Sequence, residues 1–464
     1  MSRGPLALLL AVVALLAGAW PVAAHESAPA GTIRVAQTLA DRELTVTLTP
    51  PPSGSGRMGV AVEALGAAPA RPVDVHGEAV GAVTPVVSVV PGPVGAPGRS
   101  AIDLDRAGAW EIVLDDGGAA ARIPVRWVDP GTPASLWAYR IGALVAVVAG
   151  IATATVVRRR IAVAAGLGAL AAAGAAVAIT AYVLAPTPVP AAYVAGGTSA
   201  GATPATGDAP TMAGHGMAGM AGMGGMQDMP ATAPMGEGAV LMTSTLTGSV
   251  LDLALRDGST GAPVDDLAVH DEAFIHLAVL GQDGSEQHLH PVRTGPGAWQ
   301  VRLAPTPPGR YGVFAEFSRD GMTHQQVRSA VDVPGAPPAP TPLPGPGPRV
   351  VGDMDVDVAV TGAVVGRPAT VRATFVRGGA PVTDLQSWLG MAGHLFVLGP
   401  GTDPADAAVS FAHVHDMQAR PPGRGYGPEV TFTYAFPEPG TYRLWLQVLR
   451  DGALVTVPVE VPLA

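Results

Sequence analysis

The chain of 464 residues has room for two to four domains, and its net charge of -10 argues against nucleic acid as a partner. It holds no cysteine, lysine or asparagine, which excludes disulfides, thiolate metal sites, a cysteine nucleophile, a P-loop or Schiff-base lysine and N-glycosylation. Its 60 glycines and 47 prolines with few aromatics point to β-domains joined by long loops rather than one large α/β enzyme.

Residues 1–24 read as a signal peptide: Arg3, an apolar run from Leu6 to Ala19, then Val22-Ala23-Ala24 as a small-residue cleavage site. Cleavage there leaves His25 as the new N-terminus, where an amine and an imidazole together could chelate Cu(II). Residues 25–130 form the first expected β-sandwich. Thr32–Val35, Leu44–Leu48 and Gly59–Val62 alternate as half-buried strands, and 108–114 with 121–125 resemble a closing hairpin. His76 is the other histidine of this region and reads as an ordinary surface residue.

Residues 136–157 and 161–185 are almost wholly apolar, and each is long enough to span a bilayer of ~30 Å hydrocarbon thickness. The loop Arg158-Arg159-Arg160 between them is placed in the cytoplasm by the positive-inside rule, so both flanking regions are expected outside. The lipid bilayer is thus an expected partner, and the expected location is the cell membrane, multi-pass, with the folded domains extracytoplasmic. Gly166, Gly168 and Gly174 would let the two helices pack closely. Neither span carries an interior charge or histidine to mark a transport path.

Residues 186–238 read as a disordered Met/Gly/Pro-rich tether. Within it Met217, Met220, Met223, Met226 and Met229 recur every third residue, with His215 just ahead. Flexible thioethers among glycines do not build a core, but thioether sulfur is a soft ligand suited to Cu(I). A nucleophile-elbow pattern at 197–201 and a dinucleotide fingerprint at 214–219 lack the strand and helix that either needs, and are discarded.

The remainder is a duplication. Gly261-Ala262-Pro263-Val264-Asp265-Asp266-Leu267 recurs as Gly379-Ala380-Pro381-Val382-Thr383-Asp384-Leu385, and fifteen residues after each Gly stands a His-Leu pair, at His276 and His394. Then come His288-Leu289-His290 and His413-Val414-His415, a Pro-Gly-x-Tyr ending at Tyr311 and Tyr442, and an Arg-x-Gly turn at Arg319 and Arg450. The copies run over 239–333 and 350–464, separated by a Pro-rich linker at 334–349. Each is the size of an immunoglobulin-like sandwich, so the expected class is mainly β: three such sandwiches plus a two-helix transmembrane hairpin.

Period-2 alternation puts Ile275, Leu277 and Val279 on one face and His276 on the other, and sends His288 and His290 outward together. Each copy would then carry three imidazoles on one sheet face: His276, His288, His290 and His394, His413, His415. That is a metal-ligand count. The alternative is histidines that cap strand ends or decorate the surface. Asp416 replaces the Pro291 that follows the first His-x-His, so the second site could differ in charge or geometry. Asp271-Glu272 beside His270 reads as a plain turn.

The pattern GxPVxDL, HL, HxH, PGxY resembles the bacterial extracytoplasmic sandwiches called YtkA-like or FixH-like, with the CopC copper carriers as more distant relatives. The resemblance covers both C-terminal copies well and the N-terminal domain loosely. It implies the sandwich fold and a role in handling copper or another metal in the envelope. The leading expectation is a membrane-anchored envelope protein that binds or buffers copper, ahead of zinc, with an envelope partner that delivers or receives the ion. The other is a non-catalytic structural or interaction module. No nucleophile–base pair, paired carboxylates or cofactor loop stands in a credible setting, so no enzyme is expected.

Overall fold

The computed structural model describes residues 32–50, 56–66, 71–106, 108–127, 134–156, 161–183, 192–194, 239–319, 324–401, 403–416 and 425–464. The described chain is mainly β and its strands form six sheets, two from each of three regions. In the N-terminal region one sheet runs through Ile33–Leu39, Arg42–Thr49 and Arg57–Ala64, and a second through Val73–Ala79, Gly108–Asp115 and Ala120–Trp127. A short strand, Ala192–Val194, pairs with the outer edge of Ala120–Trp127. Buried Val35, Val46, Val60, Ile112, Ile123 and Val125 fill the space between the two sheets.

The two copies of the duplication repeat one topology. In the first, His276–Gly281 is flanked by Glu286–Leu289 and Gly309–Arg319; in the second, His394–Leu398 is flanked by Phe411–His415 and Gly440–Arg450. The repeated motifs close on one another in the same way. Tyr311 Oη donates to Pro307 O at 2.8 Å and Tyr442 Oη to Glu438 O at 2.9 Å, each four residues back. Arg319 grips Asp266 through two nitrogens and Arg450 grips Asp384 likewise, at 2.7–2.9 Å. Such fork-to-fork pairs fix geometry as well as charge. They tie each GxPVxDL segment to the C-terminal end of the strand that carries the Arg, Gly309–Arg319 in one copy and Gly440–Arg450 in the other.

Two helices, α1 (Ala134–Val156) and α2 (Ile161–Val183), pack as a hairpin. Gly174 is one of the contact residues: a Cβ there would stand 2.7 Å from Gly142 O, so the backbones touch only because both residues are glycine. Gly168 does not share this role, since a Cβ there would meet only Thr153 at 4.0 Å. Among the described residues no helix is long and apolar enough to cross a membrane. The side chains at both ends of α1 and at the start and end of α2 lie outside the described residues.

The two repeats pack face to face. Ala278, Leu280 and Phe314 of the first meet Phe396, Leu398, Phe411 and Trp445 of the second in a layer of their own, with Phe314 and Phe411 stacked at 4.4 Å. Gly312 allows the approach, because a Cβ there would lie 2.4 Å from Pro404 O. Leu343 of the Pro-rich linker packs on the same layer, and Glu460 N donates to Pro344 O at 2.8 Å. The N-terminal region closes the third side: Ala36 packs with Trp388, Leu389 and Leu449.

Candidate metal centre

The central strands of the two facing sheets, His276–Gly281 and His394–Leu398, are buried along their whole length. Leu277 and Val279 point into the first sandwich, Leu395 and Val397 into the second. The alternate positions point into the layer between repeats, and at its edge stand the histidines. The expectation that they leave the sandwich core holds, but all except His415 are shut off from solvent or nearly so. His276, His288, His290 and His394 are all buried.

The six do not form two separate trios on two open faces. They form one cluster. Ring centroids are 5.3 Å apart for His276 and His413, 5.5 Å for His288 and His394, and 5.0 Å for His288 and His413. The near-equality of the first two distances reflects an approximate two-fold axis through the His288–His413 contact, which exchanges the repeats. The axis extends to the residues that hold the rings. His276 lies opposite Glu316 in its sheet and His394 opposite Gln447 in the other. Across the axis, His288 Nδ1 donates to Gln447 Oε1 at 2.9 Å and His413 Nδ1 meets Glu316 Oε2 at 3.0 Å. Each repeat orients the first His-x-His ring of the other.

The remaining rings depart from this symmetry. His290 Nδ1 meets Glu43 Oε1 of the N-terminal region at 2.5 Å, and the His290 backbone N–H donates to Thr38 Oγ1 at 2.8 Å. His415 Nδ1 faces Asp271 Oδ2 at 3.3 Å. His276 Nε2 donates to His270 O at 3.1 Å. Asp271 is therefore more than part of a plain turn. Asp271 and Glu272 both have positive φ, 47° and 61°, a conformation that non-glycine residues seldom adopt. The matching turn of the second repeat has Leu389 at 52° and Gly390 at 78°, and it places Trp388 against His288 and His394 at 4.7 and 4.8 Å.

With one nitrogen of every ring but His394 engaged, the other is left bare. His276 Nδ1, His288 Nε2, His290 Nε2, His413 Nε2 and His415 Nε2 are buried without a hydrogen-bond partner, as are both nitrogens of His394. An outer partner on one ring nitrogen fixes the tautomer that presents the other lone pair to a metal. Burial, reinforced by the neighbouring imidazoles, holds His276, His288 and His394 well below the usual histidine range, and lowers His415 too. They are neutral at pH 7, the state that ligates.

The outer carboxyls are tuned in opposite directions. Burial alone would raise Glu316, but hydrogen bonds from His324, His413 and Gln326 outweigh it and hold the group far below the carboxylate range. Burial pushes Glu286 up to about 8, against the Gln447 amide that donates to it. Two groupings bring their ligand atoms within 4.8 Å of one another: His276 with His288 and His413, and His394 with His413 and His415. His290 belongs to neither. Asp416, expected to alter the second site, instead accepts from Thr431 N at 2.8 Å. His215, Met217, Met220, Met223, Met226 and Met229, like His25, lie outside the described residues.

A family model described as a domain of unknown function (DUF8832) matches residues 349–464, the second repeat. A search of curated proteins finds no match. Among solved structures the chain is similar to the Yersinia pseudotuberculosis adhesin InvE, at 15% identity over 46% of this chain and 53% of that one, with a TM-score of 0.14. It is also similar to a two-domain fibronectin type III segment of chicken tenascin, at 10% identity over 49% of this chain and 98% of that one, again with a TM-score of 0.14. At such TM-scores these likenesses carry no argument about structure or activity.

Proposed function

We propose that this chain is a membrane-anchored envelope protein that binds or buffers a late first-row transition ion, copper before zinc, in the histidine cluster between its two repeats. One observation carries the reading: the bare, buried imidazole nitrogens that converge there. A buried polar atom left unpaired costs about 1–3 kcal/mol, so several gathered in one place point to a ligand that satisfies them. Neutral imidazole suits copper and zinc alike, and the outer ring of Glu316, Gln447, Asp271 and Glu43 supplies orientation and, with its carboxylates, compensating charge. The resemblance of the repeats to YtkA-like and FixH-like sandwiches agrees with metal handling in the envelope. The Met tract is read as a second, Cu(I)-selective site on the tether.

The anchor in this reading is the largely apolar segment 136–185 that carries the α1–α2 hairpin, taken together with the helix-end residues whose side chains lie outside those described. Ile141, Leu144, Val148 and Ile151 on α1 and Val163, Leu170 and Val177 on α2 are exposed, an outer surface suited to lipid rather than water. The test of the function is copper analysis of the detergent-purified full chain beside a His288→Ala/His413→Ala variant. One copper per chain fewer in the second than in the first is the expected result, since both keep the Met tract. Equal copper in both, or none in either, overturns the reading and leaves an envelope interaction module in its place.

A further inference from the structure

His413 is the one side chain common to both groupings whose ligand atoms lie within 4.8 Å. Its Nδ1 is engaged by Glu316 at 3.0 Å, so Nε2, buried and unpartnered, is the atom left to bind. One lone pair makes one metal bond at a time. We propose that the cluster holds a single late first-row transition ion with two alternative seats that share His413. One seat bridges the repeats through His276 and His288; the other lies wholly on the second repeat through His394 and His415. This inference rests on the metal reading above.

The seats differ in access. The His415 side chain is 19% exposed, against 1% for His413, and His276, His288 and His394 are buried. The ion therefore arrives over His415. It passes to the bridging seat by exchanging His394 and His415 for His276 and His288 while His413 stays bound. His413 stands evenly between the seats, with ring centroids 5.3 Å from both His276 and His394. The exchange swaps neutral nitrogen donors for neutral nitrogen donors, so it needs no proton and no electron. Two ions at once would require His413 as a bridging imidazolate, which gives up a proton and breaks the Glu316 contact.

The test loads the full chain with Co(II), which thioethers hold poorly, so the Met tract does not contribute. Bound cobalt is counted after desalting and its visible absorption recorded. One ion per chain is expected. His276→Ala and His415→Ala should each keep one ion, with different spectra, because each leaves the opposite seat intact. His413→Ala should lose it. Two ions per wild-type chain, or a folded His413→Ala that binds as tightly as wild type, overturns the shared-ligand proposal and leaves the metal reading standing. A wild-type chain that holds neither cobalt nor copper overturns the metal reading itself. Where a variant fails to fold, the wild-type count still decides.

Discussion

Glu43, on a strand of the N-terminal region, holds the imidazole of His290 in the first repeat, with Oε1 and Nδ1 2.5 Å apart across 247 residues of sequence. The contact is reinforced by Thr38, which donates to Glu43 Oε2 at 2.6 Å and accepts from the His290 backbone. The N-terminal region thus forms a wall of the histidine cluster. Replacing Glu43 with Ala leaves a buried imidazole N–H unpaired and should destabilise the fold by about 1–3 kcal/mol. Since His290 lies outside both close groupings, the number of ions bound should not change. Urea unfolding and metal counting on the same sample check both halves; an unmoved midpoint refutes the first.

Gln447 should matter to affinity more than to stability. Its Oε1 fixes the His288 tautomer while its amide nitrogen donates to Glu286. Losing an outer partner of this kind costs metal affinity by roughly 10- to 100-fold. Gln447→Leu is therefore expected to weaken ion binding by that order, read by competition against a calibrated chelator. An unchanged affinity would show that packing alone orients His288.

The metal-free protein should lose stability on mild acidification. His276, His288 and His394 are depressed in the folded state, chiefly by burial. The unfolded chain therefore takes up protons that the folded chain refuses, and stability falls as pH drops below the unfolded histidine value of about 6.5. Glu286 works the other way. Its folded value of about 8 lies above the ordinary 4.5, so its burial costs stability increasingly from 4.5 upward and fully above 8. Glu286→Gln should raise the unfolding midpoint at pH 9 and change it little at pH 4. A midpoint flat between pH 7 and 5 in the wild type would contradict the histidine half.

A peptide covering 212–235 should bind Cu(I) without the sandwiches, and a version with every Met changed to Leu should not. Thioethers carry no proton to lose, so binding should persist at mildly acidic pH better than at an imidazole site. Equal binding by the two peptides reduces the tract to a tether.

Topology is open to single-cysteine labelling, because the chain has no cysteine of its own. Reagent applied outside intact cells should reach cysteines at Ser100 and Gly347 and not one at Arg159. Labelling at Arg159 would sink the two-span hairpin.

Much of the cluster was legible residue by residue and little of it as an assembly. Alternation placed His276 and His394 on the faces away from the sandwich cores, where they are. The same strands carry Ala278 and Leu280, and Phe396 and Leu398, on those faces. Apolar residues on both sides of a strand mean that both sides are covered. That signal was present in the sequence, and it says that the histidines face a partner sheet rather than solvent. Pairing of the repeated Asp266 and Asp384 with Arg319 and Arg450 could also have been inferred from their joint recurrence. The roles of Glu43 and Asp271 could not. Each arises from contact between separate domains, which no local periodicity encodes.

The approximate two-fold axis through His288 and His413 bears on how the site depends on protein abundance. A lone copy of the repeat could build the seat that bridges two repeats only by pairing with itself, so that seat would vanish on dilution. Here a short proline-rich connection makes the encounter intramolecular, with an effective concentration on the order of millimolar. Each molecule then carries a complete site however few are present. The number of bridging seats then rises in direct proportion to copy number rather than with its square.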